Sequence, residues 1–256
     1  MSEIMILTPR GVELSATFIN PVDTGDAAVL FSHSVLADRR SIGHFRKLAA
    51  AYRAAGYATL EFDYSGHGLS SDDVIVLASQ VEDIKAASGW LTDRGFTRQV
   101  IHAHSFGAHA ALAAHLPAAR THILCGAALQ PMSFDWEAIF SDQQLDELET
   151  RGATTIPDDS PGPRTHFTIS KQTLADLSLT DTSELLGNLE HPVLVLHDAD
   201  DEDMGLVEVT QESFPLLPAG SRVEVVRDES LSDEEAPRTL IDTALAWAKL
   251  QVPVVR

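Results

Sequence analysis

The sequence predicts an α/β fold, with a mostly parallel central sheet and helices on both of its faces. Three observations predict it. Short apolar runs alternate with stretches of helical periodicity along most of the 256 residues. Such alternation implies parallel pairing, because parallel strands need a crossover between them. Midway along the chain, Ala103-His104-Ser105-Phe106-Gly107 sets a serine in a small-residue turn between an apolar strand and an alanine-rich helix. The alternation breaks once, in an acidic stretch holding Pro157, Pro161 and Pro163, and then resumes.

The elements follow in order. Ile4 to Leu7 and Val12 to Ile19 flank Pro9-Arg10-Gly11 and predict an antiparallel hairpin. Ala27 to Phe31 is a continuous apolar run, as expected of a buried strand. Ile42 to Ala55 has helical spacing and stops at Gly56. Tyr57 to Phe62 is the next strand, and Val74 to Leu91 a helix with Gly95 beyond it. Val100 to Ala103 is a strand, and Phe106 to His115 a helix closed by Pro117. Ile123 to Leu129 reads as strand. Within Ser133 to Asn188 there is no clear strand; helices are predicted over Phe134 to Leu148 and Lys171 to Leu177. Phe134, Trp136, Ile139, Phe140 and Phe167 need burial there, so this stretch is predicted to cap the site. The core is then 1–132 with 189–256, and the cap insertion is 133–188. Pro192 to His197 (strand), Leu206 to Phe214 (helix), Arg222 to Val226 (strand) and Glu234 to Lys249 (helix) complete the chain.

Composition narrows the function classes. The formal net charge is -20, from 38 acidic and 18 basic residues. A surface of that sign repels nucleic acid and anionic lipid, so neither is an expected partner. No apolar stretch reaches membrane-spanning length. The single cysteine, Cys125, excludes an internal disulfide and is expected to be a packed, buried thiol. Met1-Ser2-Glu3 does not open a signal peptide, and a cytoplasmic location is the expectation. There is no glycine-rich phosphate loop and no zinc-ligand spacing, so no cofactor and no metal are expected. The expected partner is a small-molecule substrate or ligand; oligomeric state is not encoded in any pattern.

The serine turn carries the chemistry. A strand ending at Ala103 and a helix starting after Ser105 force a tight turn that lifts the serine hydroxyl above the sheet edge. Together with Phe31-Ser32-His33-Ser34-Val35, Asp63-Tyr64-Ser65-Gly66-His67-Gly68 and Leu194-Val195-Leu196-His197-Asp198-Ala199-Asp200-Asp201, it resembles the α/β-hydrolase fold family. The nearest likeness is to small esterase-like members, the cinnamoyl/feruloyl esterase type and OsmC-associated hydrolases. The resemblance covers nearly the whole chain. It implies Ser105 as nucleophile and the backbone amides of Val35 and Phe106 as the oxyanion hole. It implies Asp201 as the triad acid, with Asp200 as fallback. His33, His67 and His104 are expected to be structural.

The resemblance fails at the base. No histidine follows His197, and the family's histidine position falls near Leu231. Substitute bases are Asp228, Glu229 or Asp233 from the same loop, or His166 from the cap. A serine hydroxyl without a base is a weak nucleophile. Three functions stay open: a serine hydrolase for a small ester or thioester with a nonstandard or degraded triad; a pseudo-hydrolase that binds a small ligand; or a lyase or cyclase using the oxyanion hole alone.

Overall fold

The computed structural model describes residues 2–21, 25–41, 43–160, 162–226 and 238–254. The core elements run β1 (Ser2–Leu7), β2 (Glu13–Ile19), β3 (Ala27–Ser32), α1 (Gly43–Ala54), β4 (Ala58–Phe62), α2 (Leu77–Thr92), β5 (Arg98–His104), α3 (Gly107–Ala113) and β6 (Ala119–Cys125). Then come α4 (Trp136–Ile139), α5 (Asp142–Arg151), β7 (Ala153–Pro157), β8 (His166–Ser170), α6 (Lys171–Ser178) and α7 (Thr182–Leu186). The remaining elements are β9 (Val193–Asp198), α8 (Ala199–Asp203), α9 (Leu206–Ser213), β10 (Arg222–Val226) and α10 (Arg238–Gln251). Among the described residues no helix is long and apolar enough to cross a membrane.

One eight-stranded sheet has the order β1-β2-β4-β3-β5-β6-β9-β10. β1 and β2 pair antiparallel, as do β2 and β4, and every later pairing is parallel. Strand order reverses between β3 and β5, which are direct neighbours in register Ser32 to Ala103. A crevice opens beyond the carboxyl ends of strands at such a reversal. The His33 turn and the Ser105 turn both leave the sheet there.

Alternate side chains of the central strands feed two cores. Leu30, Ile101, Leu124 and Val195 pack on one face with α2 and α3 residues such as Ile84 and Leu112. Phe31, Val100, Ile123 and Leu194 pack on the other with Phe45 and Leu48 of α1 and Trp247 of α10. Burial on both faces is why these strands are continuously apolar in sequence.

Four features differ from expectation. β6 starts at Ala119 and stops at Cys125, because Gly126 turns to φ +58. Its polar start was hidden from the apolar pattern: Thr121 Oγ1 donates to the Pro192 carbonyl (2.7 Å), and a His122 ring nitrogen lies 2.8 Å from one of His191. α2 begins at Leu77, since Val74 instead bridges Thr168 and the Ile75 N–H donates to the Thr168 carbonyl (3.0 Å). The segment expected to lack strands contains the antiparallel hairpin β7–β8. The single helix expected over Phe134 to Leu148 is two, split where Ser141 forms a reciprocal cap with Gln144 and restarts the chain as α5. Phe140 and Phe167 are buried as expected, whereas Ile139 is 54% exposed.

Candidate active site

The serine turn joins β5 to α3. Ser105 has φ +50, a conformation that costs an L-residue about 1 kcal/mol or more. Two backbone hydrogen bonds hold it there. The Ser105 N–H donates to the Cys125 carbonyl (2.8 Å), and the Ala108 N–H donates to the Ser105 carbonyl (3.0 Å). Gly107 is a steric necessity: a Cβ there would lie 2.3 Å from the His33 carbonyl oxygen and 2.7 Å from that of Ser32. Ala103, where a second glycine is usual, is an ordinary buried strand residue with its methyl in the core.

The neighbouring turn leaves β3. Ser32 Oγ donates to the Gly107 carbonyl (2.8 Å) and lies 2.7 Å from the Tyr64 hydroxyl, tying this turn to the start of α3. His33 Nε2 accepts from the Tyr64 N–H (3.0 Å), which leaves Nδ1–H to donate to the Ser34 carbonyl (2.7 Å). Both ring nitrogens are therefore used in bracing the loop. Val35 and Phe106 line one small crevice. Neither of their backbone N–H groups meets a backbone acceptor among the described residues.

Ser105 and Asp201 line a common cavity of about 300 Å³, together with His104, Phe106, Gly126 and Met204. Asp201 opens α8 after β9. Its Oδ2 accepts from the Asp198 N–H (3.1 Å), and its own N–H donates to Asp198 Oδ1 (2.9 Å). The same Oδ2 lies 3.2 Å from His197 Nδ1, and His197 Nε2 lies 2.8 Å from Thr210 Oγ1. With the Thr210 hydroxyl donating to Nε2, Nδ1–H donates to Asp201. Asp201 thus has a histidine partner, and it is His197 rather than a downstream one. The i, i+4 spacing of His197 and Asp201 was the available signal. Sequence alone does not show that the strand-to-helix turn brings them together. Asp200 lines the same cavity but is exposed.

The other sequence candidates fall elsewhere. His166 is exposed on β8, with Nδ1 3.0 Å from Thr165 Oγ1, and it is not among the residues lining the Ser105 cavity. Neighbouring strand residues face opposite ways. Phe167 turns inward, its ring 5.5 Å from that of His67, so His166 turns out. Leu231, Asp228, Glu229 and Asp233 lie outside the described residues. Among the described residues Ser105 Oγ has no hydrogen-bond partner in the protein. Among the described residues one group has metal-ligand spacing, His44, His102 and Cys125, beneath the serine turn.

Burial keeps the histidines around this region neutral. It holds His104 and His122 down to about 3, with lesser contributions from His44 and His191 respectively. His33, His67, His102, His109 and His191 are lowered too, again chiefly by burial. A histidine depressed in the folded chain binds a proton more readily when unfolded. Its stabilising effect is complete above the unfolded value near 6.5 and is lost as pH falls toward the folded one. Glu61, raised by burial to about 7, works in the opposite direction. Asp83, also raised by burial, adds to Glu61, but the histidines outnumber the pair, so the urea midpoint is expected to fall from about pH 7 to pH 5. An unchanged or rising midpoint over that interval would contradict the burial of these rings.

The alpha/beta hydrolase family model matches residues 29–254. Among solved structures, that of DcsB in complex with its substrate analogue aligns with TM-score 0.78 at 13% identity, covering 98% of this chain and 99% of that one. The esterase domain of a Rhodothermus marinus protein aligns with TM-score 0.70 at 22% identity, over 97% of this chain and 98% of its own. An esterase from Exiguobacterium antarcticum gives TM-score 0.72 at 18% identity, over 97% and 100%. No curated protein matches the chain. These likenesses agree with the fold, and the matched region runs from within β3 past the serine turn and β10: the chain belongs to the alpha/beta hydrolase family.

Proposed function

We propose that the chain is a serine-dependent acyl-transfer enzyme, hydrolysing a small ester or thioester through an incomplete triad. The observation that carries this is the Ser105 turn: a strained serine, held by Gly107 and the Cys125 carbonyl, opening into a cavity shared with Asp201. Strain of this kind persists where the surroundings enforce it, and it clusters at reactive sites. Ser105 would attack the acyl carbon. The Val35 and Phe106 amides would hold the developing oxyanion, each such donor contributing about 3 kcal/mol. Asp201, already oriented by His197, would take the serine proton directly or through a water. A carboxylate is a weaker base than imidazole, so turnover is expected to be slow.

The insertion 133–188 would cap the site. Ring contacts support this, running from Phe106 to Phe134 (6.4 Å), to Trp136 (4.7 Å) and on to Phe140 (5.7 Å). Within the Ser105 cavity itself, Phe106, Met132, Met204 and Leu206 favour an apolar or aromatic acyl group. The single buried cysteine fits a reducing, cytoplasmic setting.

Ligand binding without turnover is favoured by one observation: the Asp201 carboxylate is occupied by His197 and the Asp198 amide. Steady-state hydrolysis of short-chain and aromatic acyl esters and thioesters separates the two. Ser105→Ala is expected to lower kcat/KM by at least about 100-fold. Full activity in that variant would exclude a serine nucleophile. Absence of any turnover, with calorimetric binding of the same esters, would favour the binding function.

A further inference from the structure

We propose that His44, His102 and Cys125 form a buried site for one zinc-class divalent cation, directly beneath the serine turn. The three residues come from α1, β5 and the end of β6, and one ligand atom from each lies within 4.8 Å of the other two. All three are fully buried. A thiolate with two imidazoles suits zinc and neighbouring transition metals, and disfavours calcium or magnesium. Bringing the donors to bonding distance of one ion needs only a modest contraction, since Zn–N and Zn–S bonds of about 2.0 and 2.3 Å set donor separations somewhat shorter than these.

The cluster sits in a core otherwise built from Phe31, Phe45, Ile123 and Leu196. His102 Nε2 is 3.5 Å from Cys125 Sγ, and its Nδ1 is 3.4 Å from the Tyr52 hydroxyl. The second is a long contact for a hydrogen bond, so Nδ1 is held only weakly, while without an ion Nε2 accepts from the Cys125 S–H. With Nδ1–H directed at Tyr52, the Nε2 lone pair faces the sulfur and the metal position, the usual outer-shell arrangement of a ligating histidine. His104 adds a further buried nitrogen: its Nδ1 has no partner among the described residues, and its ring is 5.2 Å from that of His44.

The charges balance in a reasonable way. Burial, with Asp201 and Asp198 adding to it, pushes the Cys125 thiol up, so metal binding has to drive the loss of the thiol proton. A divalent cation would displace that proton to solvent, forming the metal–sulfur bond as the S–H bond breaks. The nearby Asp198 and Asp201 carboxylates would offset the remaining positive charge. Bound there, the ion would tie β5 and β6 together just before Ser105, whose N–H is already anchored on Cys125.

The test is independent of whether the protein turns over any ester. The full chain is produced in zinc- or cobalt-supplemented medium and dialysed against a chelator to strip metal held by its acidic surface. Elemental analysis is expected to give about one metal per chain, held by three protein ligands. The cobalt form is expected to show thiolate-to-metal charge-transfer absorption that disappears in Cys125→Ala. The zinc form is expected to melt at higher temperature than wild type grown without added metal, a comparison that needs no variant. Metal content well below one equivalent in both media, with no charge-transfer band, would overturn the proposal. So would metal retained equally by Cys125→Ala and His102→Leu, since the ion would then sit elsewhere.

Discussion

Gly107→Ala is expected to lower folding stability by about 3 kcal/mol and to abolish any reactivity of Ser105. The added methyl would lie 2.3 Å from the His33 carbonyl oxygen and 2.8 Å from its carbon. These are backbone atoms, so no side-chain rotation relieves the clash. Either α3 or the His33 turn must move. Movement of α3 breaks the Ser32 Oγ bond to the Gly107 carbonyl and shifts Phe106. Movement of the turn carries Val35 away from Ser105. Urea unfolding of the variant measures the first effect, and covalent labelling of the folded fraction measures the second. Wild-type stability with normal labelling would show that the two loops are not in contact.

Arg39→Ala is expected to cost about 3–5 kcal/mol. Arg39 and Asp63 form an ion pair with only 2% of either side chain exposed. The same guanidinium also donates to the Ser15 carbonyl (3.2 Å) and to Glu3 Oε2 (2.9 Å), clamping the loop after β3 onto β1, β2 and the end of β4. Asp63 Oδ1 accepts from the Arg39 N–H (2.8 Å) and Oδ2 from the Leu69 N–H (2.9 Å). Truncation leaves a buried carboxylate with two amide donors and no counter-charge. The loop so released is the one that begins at the His33 turn, so the loss should reach the site. Arg39→Lys is expected to recover only part of it, because an ammonium cannot serve Ser15, Asp63 and Glu3 together. A change below about 1 kcal/mol for Arg39→Ala would place this pair among the exposed kind.

The sheet was legible because each central strand is buried on both faces and writes an apolar run. The serine turn was legible because sterics write it: Gly107 has no alternative against the His33 carbonyl. The hairpin β7–β8 was harder, since its strands are five residues each and mix threonine, isoleucine and proline in an acidic stretch. The His197–Asp201 pair depends on how a strand turns into a helix, which no local pattern records. The His44–His102–Cys125 group is harder still. Its members stand far apart in sequence, and only the packing of α1 against the sheet, where β5 and β6 are neighbours, brings them together. The missing histidine, by contrast, is purely a sequence observation: none follows His197.

The most direct test of the central claim, that Ser105 is an activated nucleophile, is reaction with a fluorophosphonate probe followed by mass mapping of the adduct. Labelling is expected on Ser105 alone, absent in Ser105→Ala and slowed in Asp201→Asn. No adduct on folded protein, or an adduct that persists in Ser105→Ala, would contradict it.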